Sequence, residues 1–188
     1  MNHSKNKLNL GAGKDILPGY LNHDIADLPG INSIHDLNKY PWPWEENSFD
    51  EILAMDILEH LDNFMKAMEE LHRILKPDGE VTIRVPYWNH SCAYIDPTHK
   101  RGFHEHSFHF FNVDSPYYKE RGYYSKATFR IIDEVLILAP GYPYLSIPLV
   151  SHLHIRGRWL RRIIGWFGNY VGNVISDVQM VLKKVEDK

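Results

Sequence analysis

The chain is poor in the features that staple, export or anchor a protein. Cys92 is its one cysteine, which excludes an intramolecular disulfide framework and a cysteine-based zinc site. No stretch approaches the roughly 18 apolar residues of a membrane span. The opening MNHSKNK is polar and runs straight into a strand pattern, without the apolar core of a signal peptide. A cytoplasmic location is the expectation that follows. The net charge is only −3, so there is no overall attraction to nucleic acid.

What is present suits one packed domain. A hydrophobic content of 44% over 188 residues is enough for a single core spanning 1–188 and argues against extended disorder. Histidine is the one excess: there are 12, with His90, His99, His104, His106 and His109 in one short stretch.

Strand and helix signals alternate through the first half. Leu8-Asn9-Leu10 ends at the turn Gly11-Ala12-Gly13. Tyr20–Ile25 and Ile31–Leu37 read as strands two and three, and Phe49–Met55 as a buried fourth strand. In DNFMKAMEELHRIL the apolar residues Phe64, Ala67, Met68, Leu71, Ile74 and Leu75 recur every three or four positions, the mark of an amphipathic helix. Asp62 or Asn63 can cap it, and Lys76-Pro77-Asp78-Gly79 ends it. Glu80–Pro86 is a fifth strand. This alternation predicts an α/β fold with a mostly parallel sheet, its aliphatic central strands covered on both faces. Tyr87–Ser125 lacks periodicity and is too long for a plain loop, so it is expected to fold over something. Thr128–Leu138 and Val174–Val185 return to strand character. Between them lie a Pro- and Tyr-rich stretch and a helical pattern rich in arginine.

A glycine turn after a first strand lets the backbone bend sharply and approach a ligand. A nicotinamide dinucleotide would need G-x-G-x-x-G and a carboxylate about 20 residues on. Ile16 occupies the third glycine position, and Asp24 follows Gly13 by too few residues. Asp24, Asp36 and Asp56 instead stand at successive strand ends, where open α/β sheets bind ligands. Asp24 can accept hydrogen bonds from a ribose diol, and Asp36 lies where an adenine edge would rest.

LNLGAG, NHDI, IHDL, W-EENSFDEILAMDILEHL and ELHRILKPDGEVTIRVP together resemble the class I S-adenosylmethionine-dependent methyltransferases, most closely the type 11 branch of small bacterial members. The resemblance covers about residues 6–86 and resumes weakly at the last two strands. It implies a Rossmann-like seven-stranded sheet with an antiparallel last strand, and S-adenosylmethionine as cofactor. It also implies that Gly11 and Gly13, with Leu10 and Ala12, flank the methionine part. Asp24, with Ile25 beside it, would hold the ribose, Asp36-Leu37 would contact adenine, and Asp56 and Ile57 would line the pocket near the methyl group. Two departures stand out. Asp15 replaces the third glycine of the family's turn, and the N-terminal helices are reduced, nearly absent between strands one and two. Tyr87–Ser125 becomes a substrate insertion (about 87–125), with a second insertion at about 140–173.

Methyl transfer is an in-line displacement that depends on alignment, and hydroxyl acceptors need a base. Histidine suits that role near neutral pH. His99 or His90 is the expected base, with Asp56 near the chemistry. His60, Tyr87, Arg101 and His104 are expected around a small polar acceptor, Arg101 or Lys100 meeting its polar or anionic group. The competing reading is that Asp96 and His99 only brace a loop, and that Glu59-His60 only enters a helix. His104, His106 and His109 with Glu105 and Asp96 form a weaker metal candidate, and no metal is expected. Trp42 and Trp44 can wall the adenine pocket or pack on the sheet. The helix RGRWLRRIIGWFGNYVG can dock on the domain, form a homodimer or meet a membrane surface. Overall, the sequence predicts methylation of a small polar acceptor, at oxygen. The alternative from another class is a non-catalytic binding or scaffold protein that keeps the fold.

Overall fold

A computed structural model describes residues 5–140 and 152–186. Residues 141–151 of the expected second insertion lie outside the described residues. Eight strands form one sheet: β1 (Lys7–Leu10), β2 (Leu21–Asp24), β3 (Ser33–Ile34), β4 (Phe49–Met55), β5 (Leu75–Pro86), β6 (Phe129–Leu138), β7 (Leu153–Ile155) and β8 (Ile175–Lys184). Their order is β3-β2-β1-β4-β5-β8-β6-β7. β1 to β5 pair in parallel, with Leu10 opposite both His23 and Ala54. β8 runs antiparallel between β5 and β6. The eighth strand, absent from the expected seven, is β7, a three-residue edge strand antiparallel to β6.

Helix α1 (Phe64–Ile74) forms where the apolar spacing predicted it. Its cap is Asn63, whose side chain accepts from the Lys66 N–H at 3.0 Å. Phe64, Ala67, Met68, Leu71 and Ile74 are buried, and each large side chain among them contributes roughly 1.5–3 kcal/mol. The chain passes directly into β5. A register shift between the Phe49–Leu75 and Glu51–Glu80 pairs takes up Pro77-Asp78-Gly79, with Asp78 at φ 61°.

Burial on both faces is not continuous along the central strands. Ile52, Ala54, Val81, Ile83, Val178, Met180 and Leu182 are fully buried, while their neighbours Leu53, Thr82, Gln179, Val181 and Lys183 are half-exposed. Among the described residues no helix connects β1 to β2, β2 to β3 or β3 to β4, so that face lacks the usual covering layer. These stretches of β4, β5 and β8 therefore read with a period of two, as half-buried strands do, while Leu8-Asn9-Leu10 of β1 and Val135–Leu138 of β6 are buried at consecutive positions.

The Trp-rich loop packs on the sheet. Trp42 is buried, its indole donates to the Leu37 carbonyl at 3.0 Å, and its backbone N–H donates to Glu70 at 2.7 Å. Trp44 meets His23 edge-on at 5.1 Å. The 87–125 segment contributes to the core as well as covering the sheet end: Phe103, Phe108 and Phe111 surround Phe64 at ring distances of 5.0, 5.6 and 5.6 Å. It includes two short helices, α2 (Cys92–Ile95) and α3 (Pro116–Arg121).

The arginine-rich helix α4 (Arg158–Gly168) docks on the domain, but through its small residues, with its large apolar side chains turned away. Its buried residues are Gly165 and Gly168, small enough to lie against Leu136 and Ile175. Trp159, Leu160, Ile163, Trp166 and Phe167 face outward, with Trp159 76% exposed. Arg161 anchors the helix by an ion pair to Glu134 on β6.

Candidate functional site

The site lies at the carboxyl ends of the parallel strands, where every backbone exits the sheet on one edge. Its first part is the turn after β1. Gly11 and Gly13 have φ of 70° and 53°, the left-handed region that glycine enters without steric cost. A Cβ on Gly11 would stand 2.8 Å from the Ile57 side chain, whereas nothing lies within 4 Å of the Cβ position of Gly13. Gly11 thus admits Ile57, and Gly13 borders open space.

Asp24 ties this turn to β2. Its Oδ2 accepts from the Gly13 N–H at 2.8 Å and its Oδ1 from the Ala26 N–H at 2.9 Å, while the Ala12 N–H donates to the His23 carbonyl at 2.8 Å. Each carboxylate oxygen keeps a second lone pair for a ligand hydroxyl. Ile25 and Ile34, 65% and 55% exposed, leave apolar surface beside it. Beneath the turn, the Asn9 side chain bridges Asn22 and the Asp15 carbonyl at 3.0 and 2.8 Å. Asp15 thus helps fasten the turn through its backbone carbonyl.

The second part is a cavity of about 410 Å³ lined by Asp56, Glu59, Arg84, Cys92, His99, Ser176 and Asp177, with Pro86, Ile137, Ala139, His152 and His154. Asp56, at φ 54°, pairs with Arg84. Burial pushes the Glu59 carboxyl up to about 8, with Asp56 and Asp177 adding like charge. Burial and Asp56 likewise raise Asp177.

The run Asp96-Pro97-Thr98-His99-Lys100-Arg101 closes on the turn Leu58–His60. Asp96 accepts from the Thr98 hydroxyl at 2.6 Å, and that oxygen lies 2.8 Å from His60 Nδ1. The Lys100 N–H donates to the Glu59 carbonyl at 2.7 Å. The Lys100 ammonium pairs with Asp62 at 3.2 Å, and Arg101 donates to the Asp62 carbonyl at 3.0 Å. His99 Nδ1 lies 3.3 Å from the Ala93 carbonyl and its Nε2 4.0 Å from Glu59. The His60 and His99 rings meet at 4.7 Å.

Several expected site residues stand elsewhere. His90 is 2% exposed; its Nδ1 accepts from the Cys92 N–H and its Nε2 lies 3.4 Å from the Ala139 carbonyl. Both nitrogens are engaged, so it braces the fold instead of serving as a base. Tyr87 is buried with its hydroxyl near Asn169, and burial drives that hydroxyl's pKa upward. It packs in the core and lines no acceptor surface. Arg101 donates from Nη2 to the Asp62 carbonyl, and its buried Nε has no hydrogen-bond partner among the described residues. His104 caps the 3-10 helix Glu105–Phe110, outside this cavity. Leu10 and Leu37 are buried in the core, and the Leu37 carbonyl is taken by Trp42, so neither presents a side chain to a ligand. Asp36 accepts from the Asn38 N–H at 3.0 Å and stays half-exposed at its strand end.

Sequence reading passed over Arg84, Cys92, Ser176 and Asp177. The available signal was a charge near the end of an otherwise aliphatic strand, in EVTIRVP and in ISDVQMVL. A larger cavity of about 810 Å³ lies between α4, β6 and residues 105–116; it is remote from the glycine turn and contains the Arg161–Glu134 pair.

Residues 8–83 match the family model described as Methyltransferase domain. Among curated proteins, the chain is 30% identical over 91 residues to the mitochondrial arginine-hydroxylase NDUFAF5 of Rattus norvegicus, covering 38% of this chain and 26% of that protein. The chain therefore spans about a quarter of that relative's length. Among solved structures it is similar to a SAM-dependent methyltransferase from Archaeoglobus fulgidus, with a TM-score of 0.62 and 18% identity over 96% of this chain and 86% of that one. It is also similar to the Burkholderia thailandensis 1,6-didemethyltoxoflavin-N1-methyltransferase with bound S-adenosylhomocysteine, with a TM-score of 0.53 and 14% identity over 97% of this chain and 72% of that one. At these identities the solved structures speak to the fold.

Proposed function

We propose that this chain, a member of the class I S-adenosylmethionine-dependent methyltransferases through its type 11 domain, methylates a small polar acceptor at oxygen. One observation carries the reading: the open side of Gly13 and the lone pairs of Asp24 meet at the carboxyl edge of the sheet, next to an acidic and imidazole-lined cavity. The residues fit the cofactor. Asp24 would hold the ribose hydroxyls, the exposed Ile25 and the Asp36 strand end would border the adenine, and the Gly11-Ala12-Gly13 backbone would receive the methionine part. When bound, S-adenosylmethionine supplies an electrophilic methyl group.

This chain's own residues do the rest. Arg84 holds Asp56 at the cavity mouth, where the pair orients a polar acceptor. His99 presents Nε2 to the cavity and is the group that receives the acceptor's proton, while Ala93 fixes its ring. His60, packed on His99, keeps it in place. The exposed apolar face of α4 supports the homodimer.

The test is calorimetric titration with S-adenosylmethionine and S-adenosylhomocysteine, followed by a methyl-transfer screen. Binding of neither overturns the reading, and Asp24→Ala should abolish any binding seen. The missing cover over the sheet favours the non-catalytic scaffold as the second reading. Adenosyl-ligand binding without transfer to any acceptor would support it, and transfer lost in His99→Ala would exclude it.

A further inference from the structure

We infer that Glu59, His60 and His99 form a binding site for a divalent transition-metal ion of the zinc class. Their donor atoms all lie within 4.8 Å of one another, the one such group among the described residues. Two imidazoles and a carboxylate are a common ligand set for such ions.

The hydrogen bonds around the histidines prepare them as ligands. The Ala93 carbonyl can only accept, so the 3.3 Å contact puts the proton of His99 on Nδ1 and leaves a lone pair on Nε2. The Thr98 hydroxyl gives its proton to Asp96, so its oxygen accepts from His60 Nδ1, and His60 Nε2 also keeps a lone pair. Metal-bound histidines are held in the same manner, the second ring nitrogen donating to a carbonyl or to a carboxylate-linked group.

The carboxylate supplies an independent observation. The Glu59 side chain is 1% exposed, and its Oε2 has no hydrogen-bond partner among the described residues. Buried oxygens are seldom left so, and a cation would satisfy this one. Metal–ligand bonds of about 2.0–2.1 Å place tetrahedral ligands roughly 3.3 Å apart. The 4.0 Å gap between Glu59 Oε1 and His99 Nε2 closes to that with side-chain shifts of under about 1 Å.

Glu59 and His99 both line the 410 Å³ cavity, so the remaining coordination position opens toward it. A metal-bound hydroxyl there would be acidified, and His99 would act through the ion instead of as a free base. That role rests on the acceptor reading above; the binding site itself does not.

The experiment uses the full chain, stripped with chelator and dialysed against zinc or cobalt(II), with elemental analysis and cobalt absorption as readouts. About one ion per chain is expected, together with the visible bands of a tetrahedral cobalt site. His99→Ala and His60→Ala should lose the ion, Thr98→Val should weaken binding roughly 10–100-fold, and His106→Ala should change nothing. Glu59→Gln should also lose the ion. If that variant misfolds, the two histidine variants carry the test. No uptake, or uptake unchanged in the His60→Ala, His99→Ala double variant, overturns the inference. Uptake is measured without adenosyl ligand, so its failure and the failure of cofactor binding are read separately.

Discussion

Replacing Gly11 and Gly13 by alanine, one at a time, should separate folding from ligand binding within a single turn. Both residues sit at positive φ, where an L-residue costs roughly 1–2 kcal/mol. For Gly13→Ala that is the whole structural cost, because no atom lies within 4 Å of the new methyl. For Gly11→Ala the methyl meets Ile57 at 2.8 Å, and overpacking adds roughly 1–3 kcal/mol. For a chain of this length about 1 kcal/mol lowers the melting temperature by roughly 2–4 °C. Gly13→Ala should therefore melt within about 8 °C of the wild type, and Gly11→Ala lower than Gly13→Ala. The affinities should reverse that ranking. The Gly13 methyl projects into the space assigned to the cofactor, so S-adenosylhomocysteine binding should fall at least tenfold, while folded Gly11→Ala keeps more of it. Differential scanning fluorimetry and calorimetric titration on the same samples measure both quantities. Wild-type affinity in Gly13→Ala would refute the placement of the ligand. Equal melting temperatures in the two variants would refute the account of the turn.

Three further outcomes test other parts of the structure. His23 is buried, and desolvation pulls its imidazole below the ordinary range. The stability this contributes is complete above the unfolded value near 6.5 and is lost as the pH falls through the depressed folded value. The urea midpoint should thus drop more between pH 7.5 and 5 in the wild type than in His23→Gln, and parallel profiles would contradict this. Arg161→Met should destabilise the fold by roughly 1–3 kcal/mol, because it strips one of two cationic partners from the half-buried Glu134 carboxylate and leaves it only His109 at 3.7 Å, and no change in denaturant unfolding would count against that. If the outward face of α4 joins two copies, sedimentation velocity should show a dimer that Trp159→Glu with Trp166→Glu converts to monomer, and a wild-type monomer at all concentrations overturns it.

The geometry of the candidate site was legible where local chemistry decides it. Glycines at a strand end, Asp24 after the second strand and the helix Phe64–Ile74 follow from positive φ, strand-end geometry and a period of 3.6, all written in adjacent residues. On the acceptor side, long-range packing decides which side chains reach the cavity. His90, Tyr87 and Arg101 have the right chemistry for a substrate site, but the first two are enclosed in the core and the third donates to the Asp62 carbonyl, far away in sequence. Nothing local distinguishes them from His99, which shares their segment and does face the cavity.

By itself, then, the sequence determined the parallel α/β sheet, the glycine turn with its carboxylate and the shortage of N-terminal helices, because periodicity and turn chemistry are properties of neighbouring residues. Only the tertiary structure decided that one face of the central strands stays half-exposed, that α4 turns its tryptophans outward on a glycine seam, and that Glu59, His60 and His99 converge beside Arg84 and Asp177. Those arrangements depend on which distant segments compete for the same buried space, and such competition leaves no periodic trace in the chain.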